Sequence, residues 1–172
     1  MARVIWIANL LTQLFLCITA SETNKPLIRV HVVPHSHVDP MWLFTSKEYT
    51  QRTQLILETT ILTLLLDTKK TFVWESIYFL DAFLTQQGSK SICSPVSDQA
   101  TKMITPEVMK TFSVNHKCMS FKESFLLLLQ KKQIELVGGG WISYDEALTD
   151  FSSGLSDMAL GRSWIVDTFG ME

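Results

Sequence analysis

Three short apolar runs, each followed by a turn and then by helical periodicity, constrain this chain more than any other feature. Residues 27–33 (Leu-Ile-Arg-Val-His-Val-Val), 71–75 (Thr-Phe-Val-Trp-Glu) and 133–137 (Gln-Ile-Glu-Leu-Val) are mostly β-branched or apolar. They are too short for helices and read as strands of a buried parallel sheet. Pro34 ends the first run, because proline cannot donate to a ladder, and Gly138, Gly139 and Gly140 end the third. From about Glu48 to Asp67, Leu57, Ile61, Leu64 and Leu65 fall on one helical face. A second helix is predicted to start at Ile77 and run to about Leu84. Ser120 and Glu123 form a capping box for a third, whose buried stripe is Phe121, Phe125, Leu128 and Leu129. Lys131 and Lys132 suit the negative end of its dipole. A fourth runs from near Phe151 through Leu155, Met158, Ile165 and Phe169, with Gly170 as its stop. Strand alternating with helix implies an α/β fold with a parallel sheet and right-handed crossovers. Three parallel strands leave an open edge and uncovered faces, so the sequence reads as the start of something longer.

Composition removes several classes. Of 172 residues 47% are apolar and 10% aromatic, which excludes disorder, and seven Gly with five Pro exclude a collagen-like chain. A net charge of -2 gives no footprint for nucleic acid. Residues 1–20 have the order of a secretory signal peptide: Arg3, then an apolar run to Ile18, then Thr19, Ala20 and Ser21. That run is shorter than the roughly 20 residues of a membrane span and is broken by Asn9, Thr12 and Gln13, so no stable membrane anchor is expected. Cleavage would remove Cys17 and leave Cys93 and Cys118, which either pair in an oxidising compartment or stay as thiols. No Asn-x-Ser/Thr acceptor is present. Residues 86–119, with Gly88, Pro95, Pro106 and weak periodicity, read as a surface insertion in one domain spanning 27–172.

In parallel α/β folds chemistry gathers at the C-terminal ends of strands. After the first run comes His35-Ser36-His37-Val38-Asp39-Pro40-Met41-Trp42. Alternate residues of an extended stretch share a face, so His35, His37 and Asp39 can point together. Imidazole and carboxylate are good zinc ligands, and clustered ionisable groups are costly unless paired or bound to metal. Zinc takes about four donors, so others would come from elsewhere. After the third run, Trp141, Tyr144, Asp145 and Glu146 follow the glycines. They either face a polar ligand such as a sugar or form a turn with a helix-capping acidic pair.

These two segments resemble glycoside hydrolase family 38, the zinc-dependent α-mannosidases. The family's His-Ser-His-Asn-Asp-Pro-Gly-Trp appears as residues 35–42, with Val38 for Asn and Met41 for Gly. Its Gly-Gly-Trp-x-x-x-Asp-Glu-Ala appears at residues 139–147, and the last helix looks most like the lysosomal branch. The resemblance implies a partial parallel β/α barrel, the first three β-α units of the N-terminal catalytic domain. It implies Zn2+ as cofactor, held in part by His37 and Asp39, with Trp42 walling the mannose site and His35 a motif residue that is not a ligand. It also implies a retaining hydrolysis of terminal α-linked mannose on N-glycans, in the lysosome or after secretion, with mannose-containing glycans as partners and no oligomeric state implied. The family's nucleophile lies in a Trp-x-x-Asp-Pro-Phe-Gly motif. Residues 164–170 (Trp-Ile-Val-Asp-Thr-Phe-Gly) imitate it, but Gly161 falls fourteen residues after Ala147, where the family has a helical glycine. That register makes Asp167 a solvent-facing helix residue. No catalytic residue is then expected within this chain: nucleophile, acid/base and last zinc-binding His would lie beyond Glu172, and the chain would be inactive alone. The alternatives are a metal-dependent amidohydrolase- or deacetylase-like enzyme, and a non-catalytic carbohydrate-binding remnant. The glycine-tryptophan and Asp-Glu-Ala segments count against the first of these.

Overall fold

The computed structural model describes residues 28–93, 105, 107, 110–111, 118–143 and 149–171. The chain divides into two units, residues 1–32 and 33–172. In the first, Ile28, Val30 and Val32 are exposed and in no ladder. In the second, the described elements are α1 (Ser46–Leu66), β1 (Phe72–Trp74), α2 (Ile77–Gln87), α3 (Phe121–Gln130), β2 (Ile134–Leu136) and α4 (Phe151–Phe169). None of these helices is long and apolar enough to cross a membrane.

The sheet is parallel, as the rhythm predicts: Phe72, Val73 and Trp74 lie opposite Ile134, Glu135 and Leu136. The expected first strand is a correction. Only His35 bridges to Val73, with the Val73 N–H donating to the Pro34 carbonyl at 3.0 Å. The reason is the shortness of β1. Successive residues of a parallel strand bond to opposite neighbours, and Phe72 donates to Gln133 while the Trp74 carbonyl accepts from Val137. Val73 alone faces the His35 side. Before it the chain is the turn at 67–70, closed by Lys70 N–H on the Asp67 carbonyl, which offers no extended edge. Among the described residues, 28–33 are in no ladder, and Ile28, Val30, Val32 and Val33 are exposed.

Helix α1 begins at a capping box: Thr45 accepts from the Glu48 amide while Glu48 accepts from the Thr45 amide. Its C-terminal carbonyls find an unusual partner. The buried Gln133 amide donates to Leu64, Asp67 and Lys70 carbonyls at 2.9, 3.2 and 3.3 Å, tying the end of α1 to the start of β2. Helix α3 starts at the expected Ser120–Glu123 box. Phe121, Phe125 and Leu128 are fully buried in a core shared with Trp74, Ile77, Phe79, Leu80 and Phe83 from β1 and α2. Phe83 meets Phe121 edge to face at 5.6 Å.

Between α2 and α3 the chain leaves at Cys93 and returns at Cys118, and the two form a disulfide with Cα atoms 5.1 Å apart. Ser91 pairs with Ser120, and Ile92 donates to Met119. The base of the expected insertion is thus closed by a bridge and by backbone pairing. Most of residues 94–117 lies outside the described residues.

Helix α4 has the predicted bounds and the predicted stop, Gly170 at φ 64°. Its buried face is made largely by small residues. Leu155 and Met158 are exposed, and the buried residues are Gly154, Gly161 and Ile165. At Gly161 the contact is made by backbone, which a hydrophobic pattern does not reveal, while Ile165, Trp164 and Phe169 pack on the core. Asp167 is exposed within the helix, as expected.

One core group titrates. Burial pushes the Glu58 carboxyl up to about 7, with Lys90 pulling it back. The fold favours the protonated form, so its contribution is complete below the ordinary value near 4.5 and is lost as pH rises through 7. Up to about 3 kcal/mol of stability is expected to disappear over that window. Urea unfolding at pH 5 and pH 7.5 checks this: the wild-type midpoint falls with pH, and Glu58→Gln flattens the dependence.

Candidate metal centre

Because the strands are parallel, the residues following Pro34, β1 and β2 emerge at one end of the sheet. The His35–Trp42 segment, Glu75 and the Gly138–Trp141 loop all follow these strand ends.

Of the three residues expected to share a face, two come together. His37 Nε2 lies 3.1 Å from Asp39 Oδ1. His35 takes the ladder position beside Val73, and no contact joins it to the pair. The other ring nitrogen of His37 faces a residue that sequence reasoning missed: Nδ1 lies 3.1 Å from Glu75 Oε1. An acid immediately after a strand, at the sheet end that carries the histidines, was the available signal. His37 and Asp39 are half exposed while Glu75 is more enclosed, at 26%. Glu75 Oε1 itself is buried and makes no aligned hydrogen bond.

Two donors at 2.0–2.2 Å from one tetrahedral zinc lie roughly 3.4 Å apart. The 3.1 Å between His37 Nε2 and Asp39 Oδ1 is close to that edge, so this donor pair fits a shared ion with slight opening. Among the described residues no three His, Cys, Asp or Glu side chains converge on one point. The geometry explains why Glu75 does not complete a triad: the two nitrogens of an imidazole point apart, so Asp39 and Glu75 lie on opposite sides of the ring.

Trp42 projects into solvent at 73% exposure, forming no wall among the described residues. Met41, which stands where the resembling motif has Gly, adopts φ 59°. That left-handed conformation costs a non-glycine residue roughly 1–2 kcal/mol, so the substitution strains the turn. The Met41 side chain points outward and is exposed.

The loop after β2 is firmly held. The amides of Ile77 and Tyr78 donate to the Gly140 and Trp141 carbonyls, and Trp141 and Ile142 donate to Asp157. Trp141 packs on the core and meets Tyr78 edge to face at 6.2 Å, and the Tyr78 hydroxyl is 2.6 Å from Ser46 Oγ. Trp141 is therefore partly buried beside the strand ends. Tyr144, Asp145 and Glu146 lie outside the described residues.

Comparison with known proteins finds relatives of this chain. Residues 27–102 match the glycosyl hydrolases family 38 N-terminal domain. The chain is 29% identical to Alpha-mannosidase 2 of Arabidopsis thaliana over 151 residues, covering 87% of this chain and 10% of that protein. It is 29% identical to Alpha-mannosidase C of Dictyostelium discoideum over 153 residues, 88% of this chain and 11% of that one. Lysosomal alpha-mannosidase of Bos taurus is 26% identical over 163 residues, 90% and 13%. The chain thus spans about a tenth of the length of the curated relatives it matches. Residues 27–102 are thus similar to the N-terminal domain of glycoside hydrolase family 38, and most of the chain is similar to the opening tenth or so of these α-mannosidases.

Proposed function

We propose that this chain supplies the opening β/α units of a zinc-dependent, retaining α-mannosidase barrel acting on terminal α-linked mannose of N-glycans. The observation that carries the reading is the pairing of His37 Nε2 with Asp39 Oδ1 at the end of the parallel sheet. His37 and Asp39 would hold the ion, supplying two of about four donors. When bound, zinc would template the sugar's hydroxyls as a Lewis acid. Trp42, three residues after Asp39 and exposed, would close on the apolar face of a pyranose. The other two donors, the nucleophile and the acid/base would come from outside these 172 residues, so the chain alone is proposed to bind metal without turning over substrate. Asp167, exposed on α4, takes no part.

Residues 1–20 are proposed to deliver the chain to the secretory pathway, with the lysosome or the exterior as destination. The Cys93–Cys118 bridge supports this, because such bridges persist in oxidising compartments.

The test incubates the purified 172-residue chain with zinc and an aryl α-mannoside. The expected result is zinc binding and no hydrolysis. Zinc-dependent turnover that Asp39→Ala abolishes would put a nucleophile inside this chain. A chain that ignores zinc would remove the metal from the proposal altogether.

A further inference from the structure

We propose that Glu75 is the positioning residue of this site: its carboxylate accepts a hydrogen bond from Nδ1–H of His37 and thereby leaves the Nε2 lone pair facing Asp39. The inference rests on the metal reading of His37 and Asp39 but concerns a residue that the family resemblance did not single out.

The His37 ring lies between two carboxylates, each 3.1 Å from one nitrogen. In the neutral ring one nitrogen carries the proton and the other a lone pair, and the hydrogen bond made by one side decides which. The two carboxylates therefore compete, for opposite tautomers. Their surroundings decide the competition. Asp39 is 47% exposed and can turn to water. Glu75 is 26% exposed, and its Oε1 is buried with no aligned hydrogen bond, so a small turn of the ring that aims Nδ1–H, 3.1 Å away, would satisfy it. Leaving a buried acceptor unpaired costs about 1–3 kcal/mol, more when it is charged, whereas an exposed one loses little. The ring proton therefore stays on Nδ1, facing Glu75.

The placement follows from the fold. Glu75 directly follows the last residue of β1, and His37 lies two residues beyond the bridge of His35 to Val73. That single bridge brings ring and carboxylate together. A metal-binding histidine whose far nitrogen donates to a carboxylate is held in the correct tautomer and made more basic, and removing such a partner commonly weakens metal affinity 10–100-fold.

Two readings are taken on the same samples of the full chain: zinc affinity by calorimetry, and the His37 tautomer by nitrogen-15 correlation spectra of the metal-free chain at pH 8.5. Wild type is expected to carry the proton on Nδ1. Glu75→Ala and the volume-matched Glu75→Leu are expected to release the ring into the Nε2–H form or a mixture, and to weaken zinc 10–100-fold. Whichever of the two keeps its native near-ultraviolet circular dichroism is the one scored. Glu75→Gln, which retains an acceptor oxygen, is expected to restore the Nδ1–H form. A residue that only filled space would leave the tautomer unmoved. An Nε2–H ring in wild type, or a folded Glu75→Leu chain with unchanged tautomer, overturns the proposal. A wild-type chain without zinc affinity but with a tautomer that responds to Glu75 sustains the positioning role and overturns the metal reading instead.

Discussion

Replacing Gly161 with alanine is expected to destabilise the fold by about 3 kcal/mol or more, lowering the thermal midpoint by roughly 6–12 °C. A Cβ at this position would meet the Gly139 carbonyl oxygen, the Gly140 carbonyl carbon at 2.6 Å and the Trp141 amide nitrogen at 2.7 Å. All three are backbone atoms, so no side chain can swing away, and helix and loop must separate. The sign makes the experiment informative. At an unencumbered helical position alanine is favoured over glycine by about 1 kcal/mol. Destabilisation therefore reports the close approach of α4 to the loop after β2, and a neutral or stabilising result would mean that approach does not exist. The same variant should disturb the strand end, because Gly140 and Trp141 accept from the first amides of α2 and Ile142 is held by Asp157.

Reducing the Cys93–Cys118 bridge, or replacing both cysteines with serine, is expected to cost about 3.5 kcal/mol. Cross-linking residues 25 apart removes closure entropy from the unfolded chain, and a loop of that length gives about this figure. The native state offers little compensation. Ile92 and Met119, Lys90 and Phe121, and Gly88 and Lys122 are already joined by backbone hydrogen bonds, so the bridge constrains an existing closure. Thermal unfolding with and without reductant measures the loss, expected at roughly 7–14 °C. Identical midpoints would show that the cysteines do not pair in solution.

Much of the fold was legible because it is written in local signals. The Ser120–Glu123 box, the Gly170 stop and the left-handed Gly138 and Gly139 after β2 each name a conformation that few other residues supply. The Thr45–Glu48 box carried the same signal and would have placed the start of α1 at Ser46. What stayed hidden depends on distant partners. A β-branched run looks the same whether or not an edge awaits it, so the first strand was predicted where only His35 pairs. The packing face of α4 is made of Gly154, Gly161 and Ile165, and a search for large apolar residues finds Ile165 but adds the exposed Leu155 and Met158. Gln133 reads as an ordinary strand-edge polar residue, yet it satisfies three carbonyls some 60 or more positions away.

The candidate site divides in the same way. His37 and Asp39 sit two apart on one extended segment, so their meeting follows from chain geometry. Glu75 reaches His37 only because β1 lies alongside Pro34 and His35, and no spacing in the sequence announces it. Trp42 was named from the resemblance, but its exposed position gives it nothing among the described residues to wall against.

Zinc titration of the purified chain by calorimetry, beside His37→Ala and Asp39→Ala, tests the central claim most directly. The account predicts one zinc per chain, with either substitution weakening binding by about 100-fold or more, beyond the loss usual for a partner outside the coordination shell. Equal affinity in all three chains would contradict it, because the ion would then be held by something other than the pair that follows the opening strand.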